Sequence, residues 1–115
     1  MTPTNNHIDY VEFKTHDIAR TKSFYQEVFG WEFTDYGPTY VSFNKSGLNG
    51  GFELTDKAIE NGALIVFYHE DLERVLDAVK TAGAVITRDI FSFPGGRRFH
   101  FSDHSGNELS VWTDK

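Results

Sequence analysis

With no cysteine among its 115 residues, the chain has no thiolate nucleophile, thiolate metal ligand, disulfide or thiol redox centre. Its chemistry must come from carboxylates, imidazoles, hydroxyls and amines. Glu12 and Glu53 are the candidate catalytic groups, since either carboxylate could take a proton from carbon while Tyr10 or His100 stabilises the resulting oxyanion. Four of the five histidines are scattered: His7 and His16 stand at a strand entry and a helix entry, His69 at a strand end and His104 in a turn. His100 differs, because it lies between Phe99 and Phe101 inside a strand pattern. For His100 the alternative is a structural or surface group; for Glu53, beside Thr55, it is a solvated strand residue.

The elements that must carry these groups come as two copies of one unit. His16-Asp17-Ile18-Ala19-Arg20 lines up with Glu70-Asp71-Leu72-Glu73-Arg74, and Phe29-Gly30-Trp31-Glu32-Phe33-Thr34 with Ala82-Gly83-Ala84-Val85-Ile86-Thr87. Ser46-Gly47 matches Ser105-Gly106 in the same order, and a repeat of that size governs the fold. Residues 8–15 alternate around Val11 and Phe13, and residues 63–69 form the continuously apolar and aromatic run of a strand buried on both faces. A helix follows each. Ile18, Tyr25, Val28 and Phe29 recur at helical spacing, with Thr15 or Asp17 as N-cap and Gly30 as stop; Leu72, Val75, Leu76 and Val79 form the second stripe, before Gly83. Three strands complete each half: 31–36, 40–44 and 51–55, then 84–90, 98–102 and 108–113. Turns at Gly37-Pro38, 46–50, Pro94-Gly95-Gly96 and 104–107 separate them. The expected class is α+β: βαβββ twice in one 115-residue domain, module 1 over about residues 8–55 and module 2 over about 63–113, each a mixed sheet with its helix on one face.

Strand alternation then predicts the opposite face. If Val11 and Phe13 pack under the helix, Tyr10, Glu12 and Lys14 point away. If Leu109 and Val111 do the same, Glu108, Ser110 and Trp112 share the other side, as Tyr40 and Ser42 oppose Val41 and Phe43. The inferred lining joins Tyr10, Tyr40, His100, Ser110 and Trp112 as ligand-binding groups to Glu12 and Glu53, a mixture suited to a small, partly apolar molecule. The alternative is that these aromatics fill the space or form a subunit interface. Arg97-Arg98 follows the Pro94-Gly95-Gly96 turn, where a mobile loop could present a guanidinium to an anionic ligand, or simply expose a basic pair.

Eleven Lys and Arg against seventeen Asp and Glu leave a net charge of −6, with no positive strip to neutralise phosphates, so nucleic acid is not an expected partner. The polar N-terminus lacks a targeting pattern, and the longest apolar run, residues 63–68, is too short for a bilayer. The expected setting is the cytoplasm, without a membrane partner.

Three stretches resemble the vicinal oxygen chelate superfamily, also called the glyoxalase, bleomycin resistance and dioxygenase fold. They are the strand into Asp17 followed by Phe24-Tyr25 and Phe29-Gly30-Trp31, the Asp71-Leu72 helix ending at Gly83, and the Asp103-His104-Ser105-Gly106-Asn107 turn. The resemblance implies that the two modules curve their sheets into a cup. In catalytic members a divalent metal sits there on four donors, from the first and last strand of each module. The matching positions here are Tyr10, Leu64, Ser110 and Glu53, of which only Glu53 keeps a ligand type, so neither metal nor other cofactor is expected. The stretch Tyr10-Val11-Glu12-Phe13 through Phe29-Gly30-Trp31-Glu32-Phe33 is similar to the glyoxalase-like, or lactoylglutathione-lyase-like, branch. Members of this size usually pair as homodimers. The resemblance therefore implies a metal-independent small-molecule binder; the alternatives are a glyoxalase-type lyase or isomerase using a carboxylate base, with or without a divalent metal, and an interaction module whose sheets are consumed in a dimer.

Overall fold

The computed structural model describes residues 3–115 and shows the βαβββ unit twice. In chain order the elements are β1 (Val11–Thr15), α1 (Ile18–Phe29), β2 (Glu32–Asp35), β3 (Tyr40–Asn44), β4 (Gly50–Leu54), β5 (Ile65–Tyr68), α2 (Leu72–Thr81), β6 (Val85–Phe93), β7 (Gly96–Ser102) and β8 (Glu108–Thr113). The fold is α+β, with two four-stranded mixed sheets ordered β1-β4-β3-β2 and β5-β8-β7-β6. Two compact units result, one ending at Lys57 and the other beginning at Ala58.

In the first unit, β1 runs parallel to β4, while β4, β3 and β2 pair antiparallel. Of the two candidate caps, Asp17 is the one used: it is extended and its carboxylate accepts from the Arg20 amide at 3.1 Å. Thr15 supports the junction instead, with its buried hydroxyl 2.6 Å from that of Thr21. Gly30 ends the helix at φ 72°, a left-handed conformation that a side chain would strain. The chain can then turn so that Trp31 stacks on both Tyr25, at 4.7 Å, and Phe43, at 4.2 Å. Tyr25 also meets Phe52 at 5.2 Å, joining helix to sheet through fully buried rings. Phe24 and Thr21 are buried as well, a broader face than the expected stripe.

The second unit pairs β5 parallel to β8, with β8, β7 and β6 antiparallel. Helix α2 packs on β6, β7 and β8 through buried Leu72, Val75 and Val79. Under it lie Phe99, Phe101, Leu109 and Val111, all fully buried. The reading of residues 63–69 as a strand buried on both faces is corrected here. β5 is an edge strand whose Val66 and Tyr68 are 42% and 50% exposed, so only the Ile65 and Phe67 side is covered. The β6–β7 hairpin also exceeds the expected strands: β6 continues to Phe93 and β7 begins at Gly96. Irregular register between Ile86 and Arg88 and again between Arg88 and Phe91 breaks the alternation that strand reading relies on.

The Asp103 turn is a buried polar knot. The Asp103 carboxylate accepts from the amides of Ser105 and Asn107 at 3.0 Å each and from the Asn107 side chain at 3.1 Å. From the segment before β5, Asn61 donates to the Gly106 carbonyl and accepts from the Glu108 amide, both at 3.0 Å. These bonds satisfy buried backbone groups. The motif that carried the resemblance is therefore a structural device.

Candidate functional site

On the first sheet, Val11, Phe13, Phe52, Val41 and Phe43 share the helix side, which leaves Tyr10, Glu12, Lys14, Tyr40 and Glu53 on the other. The hydroxyls of Tyr10 and Tyr40 meet at 2.5 Å. Gly51 lies beneath them, and a side-chain carbon at that position would overlap both hydroxyls. Burial raises the Tyr40 phenol well above its ordinary range, helped by the bond to Tyr10 and then by the Glu12 carboxylate. Tyr40 is consequently a neutral hydrogen-bonding group at any physiological pH.

Lys14 stands between the two candidate bases, bonded to Glu53 and 3.7 Å from Glu12. Its ammonium is held above the usual lysine range, first by the bond to Glu53, with burial opposing. Glu12 and Glu53 are 45% and 49% exposed. The carboxylates, the ammonium and the two phenols thus form one polar surface on the first sheet. Lys14 and Gly51 were not singled out from sequence; parity placed Lys14 on this face, and only the β3–β4 register shows why glycine stands under the tyrosines.

On the second sheet, Ser110 pairs with His100, and Trp112 with Arg98. These four share the face opposite Phe99, Phe101, Leu109 and Val111. The Ser110 hydroxyl is buried and donates to the Phe99 carbonyl at 2.9 Å, so its proton is committed within the sheet. The His100 Nδ1 lies 3.6 Å from Glu108, a carboxylate that also accepts from Thr87 at 3.0 Å. Its ring meets Phe91 at 5.9 Å. Trp112 contacts Tyr68 edge-on at 5.2 Å and Phe93 at 6.4 Å, and Tyr68 donates to Asp114 at 2.7 Å.

The expectation of Arg97-Arg98 on a mobile loop is corrected, because both lie in β7 and alternation sends them to opposite faces. Arg97 reaches α2 and pairs with Glu73 through two bonds, at 2.5 and 3.3 Å. Arg98 lies among rings, its guanidinium carbon 5.3 Å from the centre of Phe91 and 5.7 Å from that of Phe93. Arg88 covers the same Phe91 ring at 3.6 Å. Phe91 and Phe93 were missed from sequence because β6 was read as ending at Ile90, and Arg88 because irregular register on both sides of it hides its face. The signal available was the parity that Arg98 shares with His100.

The positions where catalytic relatives carry metal donors do not fit a divalent ion by their chemistry. The Tyr10 hydroxyl is bonded to Tyr40, Glu53 is held by Lys14, Leu64 offers only hydrocarbon, and the Ser110 hydroxyl is bonded to backbone. Among the described residues, no three His, Asp or Glu side chains are grouped to hold a metal. None of the described helices is long and apolar enough to cross a membrane.

The same architecture recurs in many solved proteins. A glyoxalase/bleomycin resistance protein/dioxygenase family enzyme from Burkholderia phytofirmans PsJN superposes with a TM-score of 0.81 at 17% identity, covering 93% of this chain and 98% of its own. The genomically encoded fosfomycin resistance protein FosX from Listeria monocytogenes gives 0.82 at 17% identity, covering 97% and 96%. A lactoylglutathione lyase from Agrobacterium tumefaciens gives 0.74 at 17%, covering 96% of each chain. At such identity the likeness shows the fold alone. No curated protein gives a significant match. The family signature of the Glyoxalase/Bleomycin resistance protein/Dioxygenase superfamily spans residues 7–111. With the doubled βαβββ unit and the Asp103 turn already on hand, that match establishes the chain as a member of this superfamily.

Proposed function

We propose that the protein is a glyoxalase-like member that binds a small, partly aromatic or apolar molecule against the helix-free faces of its sheets, without a bound metal. The observation that carries this reading is the composition of those faces: aromatic side chains interleaved with a few polar groups, with Tyr10 and Tyr68 43% and 50% exposed. Superfamily membership supports it, since these domains serve small-molecule chemistry. The two modules are proposed to serve as one cytoplasmic domain that pairs as a homodimer, supported by exposed Val66 and Tyr68 on edge strand β5. Thermal-shift screening of the purified protein against aromatic compounds and divalent metals tests the reading, with elemental analysis of the sample as isolated. Stabilisation by aromatic compounds and no stoichiometric metal is expected. Stoichiometric Zn, Ni, Mn or Fe, or no stabilisation by any compound, overturns it.

A second reading is favoured by the Glu12 carboxylate beside the Tyr10–Tyr40 hydroxyl pair. In a lyase or isomerase, Glu12 would take a proton from carbon while a phenol donates to the enolate oxygen. Glu53, bonded to Lys14, is the alternative base. Under this reading Glu12→Gln or Glu53→Gln abolishes a measured turnover; a ligand that binds without turnover returns the balance to the carrier.

A further inference from the structure

Two nitrogens on the helix-free face of the second sheet lack what a folded interior normally supplies. The Nε of Arg98 and the Nε2 of His100 are both buried, and neither has a hydrogen-bond partner. A buried donor left unmade costs about 1–3 kcal/mol, and more when it is charged. Ring contacts help a guanidinium electrostatically but leave its N–H groups unbonded. Arg98 is joined on Phe91 by Arg88, so two cations share one ring. Among the described residues neither arginine makes an ion pair. The Glu108 carboxylate faces His100 at 3.6 Å and is bonded to Thr87.

Resting on the reading above, we propose that this face takes an aromatic anion, an aryl carboxylate. The carboxylate would accept from Arg98 side-on, where a planar guanidinium offers two parallel donors. His100, roughly 7 Å along the same strand by ordinary strand rise and in contact with the same Phe91 ring, supplies the second donor. Phe93 and Trp112, 6.4 Å apart with their rings inclined at 48°, provide apolar surface for the ring of the ligand. A neutral aromatic would cover that surface and leave the Arg98 charge uncompensated; a bare inorganic anion would bond Arg98 and leave the surface uncovered. Both halves of the site together select an anion carried on a ring.

The test is calorimetric titration of the full chain with 1-naphthoate, its neutral isostere 1-naphthamide, and inorganic phosphate. The expected result is 1-naphthoate binding at least about tenfold tighter than either comparator, with chemical-shift changes at the His100 imidazole and the Trp112 indole. Arg98→Met, which keeps the stem in place, should remove that tenfold preference, while Arg98→Lys should retain part of it. Equal affinity for acid and amide overturns the anion site and leaves the small-molecule reading standing. Phosphate binding as tight as 1-naphthoate overturns the aromatic half. An unchanged preference in Arg98→Met places the anion elsewhere and overturns the assignment. Failure of both aromatic compounds to bind overturns this site and counts against the broader reading as well.

Discussion

Tyr40 shows how one side chain reports on its whole face. Its phenol is shifted upward first by burial, then by Tyr10 and Glu12, and Tyr68 is shifted upward by its bond to Asp114. A spectrophotometric titration should therefore show a late-ionising tyrosine that Tyr40→Phe removes. Gly51→Ala tests the same contact from below: the added carbon must push the hydroxyls apart, so Tyr40 should move back toward the ordinary tyrosine range in the same titration. Asp103 makes a contrasting case. Its removal strands the amides of Ser105 and Asn107 in a buried turn, so Asp103→Ala should cost about 3 kcal/mol in urea unfolding. An effect near zero would mean that Asn61 and the backbone bonds hold the turn without the carboxylate.

At the scale of elements, the decisive event is the separation of two adjacent arginines by strand parity. Arg97 ties the start of β7 to the first turn of α2 through Glu73, whose carboxyl is held below its ordinary range chiefly by that bond. A carboxylate depressed in the folded state stabilises above its unfolded pKa, and the contribution is lost as pH falls through the folded value. Wild type should accordingly melt slightly above Glu73→Gln near neutral pH, and the two melting curves should converge between about pH 5 and about pH 3. The pair is largely exposed, so the difference should be small and should shrink in high salt. Both helices start alike, with Asp17 or Asp71 accepting from the amide three residues on. Only half of that pattern was read from sequence, where Asp17 stood as an alternative to Thr15 and Asp71 was not named as a cap.

For the whole molecule, two units of under sixty residues each carry one sheet face without a helix. Such units bury only about 60% of their chain surface when alone, which favours further association. The proposed homodimer predicts a light-scattering mass twice the 13.1 kDa of the chain. A mass of one chain at micromolar concentration would sink that proposal and leave the ligand site to the single chain. The net charge of −6 does not bar an anion site, because Arg88 and Arg98 gather on one ring; Glu108, 3.6 Å from His100, is an acid that a bound anion would also face.

The sequence by itself determined the doubled βαβββ order, the Gly30 stop and the absence of thiol chemistry, and narrowed the first N-cap to Thr15 or Asp17. These depend on local periodicity, on side chains that bond within a few residues, and on composition. Parity also set Tyr10, Glu12, Tyr40 and Glu53 on one face of the first sheet, where strands are short and regular. The second sheet was less legible. Its β6 strand is irregular at two points and runs on to Phe93, so alternation counted from Val85 cannot predict which way Phe91 and Phe93 face. Only tertiary pairing with β7 decided that those rings close over Arg98, because the register of a bulged hairpin is set by its partner strand and turn rather than by its own pattern.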